Sequence, residues 1–128
     1  MLKSSQIDPD ALMSALTKLK EAIPNKAQEW FDTCCLRLTD IKSIGKNKQG
    51  FDQYQVLKNP TLDKGSRFSY RKVIIGGRND SYRFCSCFFV TREFKKHFTT
   101  CTHIGACLLW RLYHRMLNLK YRISIGVS

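Results

Sequence analysis

Apolar positions along this 128-residue chain change period several times, and each change marks an element. Asp8-Pro9-Asp10 has the form of a helix start, with Asp8 as cap and Pro9 at the first helical position. Leu12, Leu16, Leu19 and Ile23 then recur at helical spacing until Pro24 ends the run. Ala27, Trp30, Phe31, Cys34 and Leu38 fall on one face of a second helix over 26–38. Two short amphipathic helices joined at a proline form a hairpin too marginal to stand alone, so they are expected to pack on a small sheet. Strand formers dominate 51–58, Phe68 to Ile75 and Ser81 to Phe89, separated by an Asn59–Ser66 loop and a Gly76–Asp80 turn. A last helix is expected from Thr102 to about 117, with Ile104, Cys107, Leu108, Leu112 and Met116 as its apolar face. Leu108, Leu109 and Trp110 together exceed what one face can bury, which points to a partner contact. The tail alternates Leu119, Tyr121, Ile123, Ile125 and Val127 with polar or small residues, the pattern of a half-buried strand.

The fold class that follows is α+β: an N-terminal helical pair, a small antiparallel sheet and a hairpin–helix unit. Its length suits one compact domain, with an N-terminal helical region over 1–50 and a second region over 51–128. No run approaches a membrane span, and the start lacks an apolar signal core, so secretion is not expected. The expected compartment is intracellular and reducing, where six cysteines serve a metal better than a disulfide framework.

Charge is lopsided. Residues 1–57 carry a net +1 and residues 58–128 a net +11. Such an excess attracts polyanions, nucleic acid foremost and an acidic protein face next. Arg92, Lys95 and Lys96 lie among aromatic residues, and Arg111, His114 and Arg115 share one helical face. With Arg122, the Arg and Lys residues of these groups are the candidate nucleic-acid contacts.

The chemistry concentrates in Cys85-Ser86-Cys87 and, thirteen residues on, Cys101-Thr102-His103. Two tight pairs of soft or borderline donors are the arrangement a tetrahedral zinc ion takes, and four protein ligands leave no position for a reactive water. In a strand, residues two apart face the same way, which could aim both Cys85 and Cys87 at one ion. Ligand identity has alternatives: Cys107 is one helical turn from His103, and His97 lies in the connecting loop. Cys107 reads as packing and His97 as a surface or nucleic-acid contact. Cys34 and Cys35 could form a strained redox pair, although Cys34 falls on an apolar helix face and reads as core. Catalysis has little support, because the acidic residues are mostly N-terminal and Gly76-Gly77 is followed by no phosphate-loop Lys-Ser/Thr.

Cys-x-Cys, a variable insert and Cys-x-His-x-x-Ala, ending here at Ala106, resembles the signature of the SWIM zinc finger. The resemblance covers the second half of the chain. Among SWIM proteins, the small Sws-type, Shu2-like subunits of the Shu complex look closest, and Tyr54-Gln55-Val56-Leu57 is similar to the strand preceding their finger. The resemblance implies zinc held by Cys85, Cys87, Cys101 and His103. It also implies a non-enzymatic accessory role in homologous recombination beside a recombinase paralogue, in the nucleus if the source is eukaryotic. A sequence-independent nucleic-acid-binding protein of a mobile element or virus is the alternative, and a thiol redox protein a more distant third.

Overall fold

The computed structural model describes residues 2–89 and 100–124. Its elements are α1 (Pro9–Ala22), α2 (Gln28–Arg37), β1 (Ile41–Lys46), β2 (Asp52–Leu57), β3 (Tyr70–Gly76), β4 (Tyr82–Cys85) and α3 (Thr102–Ser124). The α+β class is as expected. The strands form one antiparallel sheet in the order β1-β2-β3-β4, so each strand pairs with its sequence neighbour.

Asp8 caps α1 as its sequence implies, its carboxylate accepting from the backbone N–H groups of Asp10 and Ala11 at 3.0 and 3.1 Å. The stripe that α1 buries is Ala11, Ala15 and Leu19. Leu12, Leu16 and Ile23 flank it, half-buried. Small residues on the buried stripe let α1 approach its neighbour closely. That neighbour is α3, whose buried Tyr113 accepts at its hydroxyl oxygen from the Asp8 backbone N–H at 3.0 Å.

The helical pair does not dock directly on the sheet. Both α1 and α2 pack on α3, and α3 packs on the sheet. Residues 103 to 109 of α3 are buried without interruption, so the helix is apolar around most of its girth there. This accounts for Leu108, Leu109 and Trp110: Leu108 and Leu109 are buried in the core, and Trp110 packs on Tyr54 of β2 with ring centroids 5.5 Å apart. None of the three is needed to explain an external partner.

Helix α2 approaches α3 closely at Gly105. A Cβ there would stand 2.5 Å from the Trp30 ring and 2.6 Å from Cys34 Sγ. Core residues from 1–50, such as Leu19, Phe31 and Ile41, join Val73, Ile75 and Leu109 in a single cluster. The β1–β2 hairpin crosses the boundary between residues 50 and 51, so both regions contribute to one sheet.

Two elements depart from expectation. Strand β1 has no counterpart in the sequence reading, because only Ile41 of its six residues is buried and no alternation marks it. It is an edge strand with a register shift between Ser43 and Lys46. Residues 119–124 are helical, not a strand. Leu112, Met116 and Leu119 are also at helical spacing, and Lys120 forms ion pairs with Asp8 and Asp10 of α1, which holds the extended helix against α1. The remainder of the expected tail strand, 125–127, lies outside the described residues.

Replacing Gly105 by Ala is expected to destabilise the protein by about 1–3 kcal/mol despite the better helix propensity of Ala, and by Val more. Urea unfolding of the metal-loaded protein measures this; an unchanged midpoint for the Ala variant would show that Trp30 and Cys34 can yield.

Candidate metal centre

Strand β4 ends at Cys85, which is fully buried opposite Val73 of β3. The chain then turns through a 3-10 segment, Ser86–Phe89, that carries Cys87. The two thiols are therefore not brought together by strand alternation, as their spacing suggested, but by this turn. Its Ser86 hydroxyl accepts from the Lys72 backbone N–H at 2.9 Å and holds the turn against β3. On the other side, α3 begins at Thr102, so Cys101 stands just before the helix and His103 in its first turn. One donor atom from each of Cys85, Cys87, Cys101 and His103 lies within 4.8 Å of all the others. All four residues proposed as ligands from the sequence meet at this point, and the group could hold a metal ion.

Polar contacts from α2 and β4 secure the residues on either side of Cys101. Trp30 Nε1 donates to the Thr100 carbonyl at 3.2 Å, and Arg83 Nη1 of β4 reaches the Thr100 hydroxyl at 3.5 Å. Arg37 Nε donates to the Thr102 hydroxyl at 3.1 Å. The rest of the Arg37 guanidinium pairs with Asp63 through two 2.9 Å bonds, both side chains being only 7% exposed. Asp63 in turn accepts from the Asn59 backbone N–H at 2.9 Å. Helix α2, the 59–66 loop and the start of α3 are thereby locked together beside the cluster. Arg37 follows Cys34 by three residues on the buried face of α2, a polar interruption of an apolar stripe that could have signalled a buried ion pair.

The electrostatics favour a cation. Hydrogen bonds from the Cys85 and Cys87 thiols hold the Cys101 sulfur well below the usual thiol range, against the effect of burial. The same contact with Cys101 pushes Cys85 far up, and pushes Cys87 up to about 12. The three sulfurs thus oppose one another's ionisation, and a positive ion between them would relieve this. His103 makes a second argument. It is 9% exposed, its ring meets Phe68 edge-on, and neither buried ring nitrogen has a hydrogen-bond partner. A buried polar atom left unpaired costs about 1–3 kcal/mol, and a metal would satisfy one of the two.

The other candidates separate cleanly. Cys107 is buried in the core and is not a member of the cluster. Cys34 is also buried, with its thiol pushed up to about 12 by burial, and Cys34 and Cys35 are both free thiols. Arg111 is no member of a free cationic stripe. Its guanidinium bonds Asp52, the Tyr54 hydroxyl at 2.9 Å and Asp80 at 2.9 Å, tying α3 to β2 and to the β3–β4 turn. His114 packs on Trp110 with centroids 4.2 Å apart, and burial lowers its pKa. Arg115 and Arg122 are exposed. Arg92, Lys95, Lys96 and His97 lie outside the described residues. No helix among the described residues is long and apolar enough to cross a membrane.

No protein-family model, curated protein or solved structure matches this chain.

Two outcomes are expected. A divalent metal binding at pH 7.5 should release about two protons, those of Cys85 and Cys87, so affinity should fall about 100-fold for each pH unit lost near neutrality. Calorimetric titration in buffers of differing ionisation enthalpy measures the count, and release of no protons would contradict the sulfur assignment. Asp63→Asn should cost about 3–5 kcal/mol by leaving Arg37 buried without its counter-ion, while the double change Arg37→Met, Asp63→Leu should recover much of it. Urea unfolding of both variants decides.

Proposed function

We propose that this chain is a non-enzymatic zinc-binding protein of the SWIM type. In this reading it is an accessory factor that docks a protein partner and associates with DNA. The cluster of Cys85, Cys87, Cys101 and His103 is the observation that carries the reading. Three sulfurs and one imidazole form a donor set that suits Zn²⁺, with expected bonds of about 2.3 Å to sulfur and about 2.0–2.1 Å to nitrogen. A tetrahedral ion with four protein ligands has no open position at which to activate water, which supports a structural ion over a catalytic one. Ala106, the last position of the SWIM-like pattern, is fully buried in α3 and supports a role for that position in packing.

Zinc would clasp the end of β4 to the first turn of α3 and contribute on the order of 10 kcal/mol to the folded state. What it orients is α3 and the surfaces α3 builds. One of these is a groove of about 340 Å³ between α1 and α3, lined by Asp10, Ala11, Ser14, Met116, Leu119 and Lys120. Leu119, in its lining, is 52% exposed, and with Met116 it offers apolar surface suited to a protein partner. The SWIM resemblance makes a recombinase paralogue the partner to test first, and homologous recombination in a nucleus the setting. The net charge of +12 favours a second reading, a sequence-independent nucleic-acid-binding protein of a mobile element or virus.

Purified protein is expected to hold about one zinc per chain by elemental analysis, and Cys101→Ser and His103→Ala are expected to lose it. Affinity capture with wild type should recover a RecA-like ATPase that His103→Ala fails to retain and Leu119→Asp retains weakly. Undiminished zinc in both ligand variants overturns the metal reading; zinc loss with unaltered salt-sensitive DNA binding and no protein partner favours the second.

A further inference from the structure

Among the described residues, every helix lies on one side of the sheet, and the opposite side has a composition of its own. Strand register separates the two faces. Tyr54 of β2, Val73 of β3 and Cys85 of β4 are matched across the sheet and all are buried, which marks the inner face. Alternation then places Gln53 and Gln55 of β2, Lys72 and Ile74 of β3, and Tyr82 and Phe84 of β4 on the outer face. Lys42 of β1 pairs with Gln55, and Gln55 with Lys72, so a lysine stands on each side of a central glutamine.

Aromatic rings mark both ends of this face. At one end Gly76 of β3 pairs with Tyr82, and a Cβ on Gly76 would meet the Phe51 ring at 2.3 Å. Phe51 therefore lies across the glycine on the outer side, and its ring centroid is 5.1 Å from that of Tyr82. Tyr82 is 45% exposed. At the other end Tyr70, 44% exposed, lies six residues from Gly76 along the same strand, or about 20 Å. None of the outward positions on the four strands is an aspartate or glutamate. Asp52 and Asp80 bond Arg111 of α3, on the inner side of the sheet.

We propose that this outer sheet face binds single-stranded nucleic acid, with Tyr70 and Tyr82 stacking on bases, Lys42 and Lys72 contacting phosphates, and Gln53 and Gln55 available to base edges. Half-exposed tyrosine rings interleaved with lysines, on a face whose strand positions carry no carboxylate, match the chemistry of a strand whose bases are unpaired. A duplex hides those base faces and offers nothing for Tyr70 and Tyr82 to stack on. Charge complementarity points the same way, because the chain carries +12 overall and Arg111 is consumed internally. A span of about 20 Å between the tyrosines is covered by a few nucleotides, in keeping with the two or three bases that aromatics of a four-stranded sheet stack in known modules. The inference does not depend on the zinc reading, since the face is built by strand pairing and not by the cysteine cluster.

Fluorescence anisotropy with the full-length, metal-loaded chain tests it, using labelled oligo-dT and oligo-U of about 16 nucleotides. Both oligomers should bind, and both should bind more tightly than a duplex or an abasic strand of equal charge. Tyr70→Ala and Tyr82→Ala should each weaken binding by roughly 5- to 100-fold, and Tyr70→Phe and Tyr82→Phe should leave it nearly unchanged. Lys42→Ala with Lys72→Ala should lower the salt slope by about 1.4. Arg115→Ala with Arg122→Ala, on α3, should alter neither tyrosine effect. Metal content and the circular dichroism spectrum report folding in each variant. The inference is overturned by absence of oligomer binding, by equal affinity for the abasic strand, or by undiminished affinity of the folded Tyr70→Ala, Tyr82→Ala variant. Self-association through this face, seen as a Tyr70- and Tyr82-dependent dimer in sedimentation with no oligomer binding, overturns it in favour of a second copy.

Discussion

Three thiols and an imidazole converge where the sheet hands the chain to its longest helix, and the rest of the structure is arranged around that junction. Such a group is awkward without a cation. One sulfur can be ionised if two thiols donate to it, and that accounts for the opposite directions in which Cys101 and Cys85 are pushed. The imidazole lies close enough to help hold the Cys101 sulfur down, yet neither buried ring nitrogen makes a well-formed hydrogen bond. A divalent ion would address both difficulties at once, offsetting most of the charge on three ionised sulfurs and taking a nitrogen lone pair. The junction also sits where misplacement would be most damaging. Helix α3 is the surface on which α1, α2 and the sheet all pack, so an error in its first turn would propagate to every layer.

The surrounding polar contacts are best understood as positioning devices. A buried ion pair such as Arg37–Asp63 contributes little net stability against an apolar replacement of equal volume, because desolvation offsets the attraction. Its geometry is what matters here. The fork of the Arg37 guanidinium spans Asp63 of the loop and Thr102 of α3, and Trp30 holds Thr100 two residues earlier. Cys101 is thus clamped from both sides by α2. Gly105 serves the same contact, since only a residue without a Cβ lets α2 come close enough for Trp30 and Arg37 to reach.

What the sequence made legible is what depends on local spacing. The cap at Asp8, the start of α3 at Thr102 and the two ligand pairs are short patterns whose meaning does not require knowing the neighbours. What escaped depends on tertiary context. Strand β1 buries one residue in six and exists because β2 offers it an edge, so no periodicity announces it. The alternation from Leu119 onward is a strand pattern by composition, yet a helix already 17 residues long extends at little cost, and Lys120 finds Asp8 and Asp10 only in helical form. The pairing of Cys85 with Cys87 was legible as a fact but not in its cause, a turn in place of strand alternation.

Charge shows the same limit more sharply. Helical periodicity groups Arg111 with His114 and Arg115 as a stripe, but periodicity cannot say which cations the fold itself consumes. Asp52 and Asp80, distant in sequence, converge on Arg111 and remove it from the surface budget. His114 is drawn against Trp110, where burial disfavours its charged form. Among the described residues the cationic helix face is thereby reduced to Arg115 and Arg122, while the outer sheet face keeps Lys42 and Lys72 exposed, with no aspartate or glutamate at its outward strand positions. A basic excess measured over half a chain therefore does not say which surface carries it; that depends on which cations the fold pairs internally.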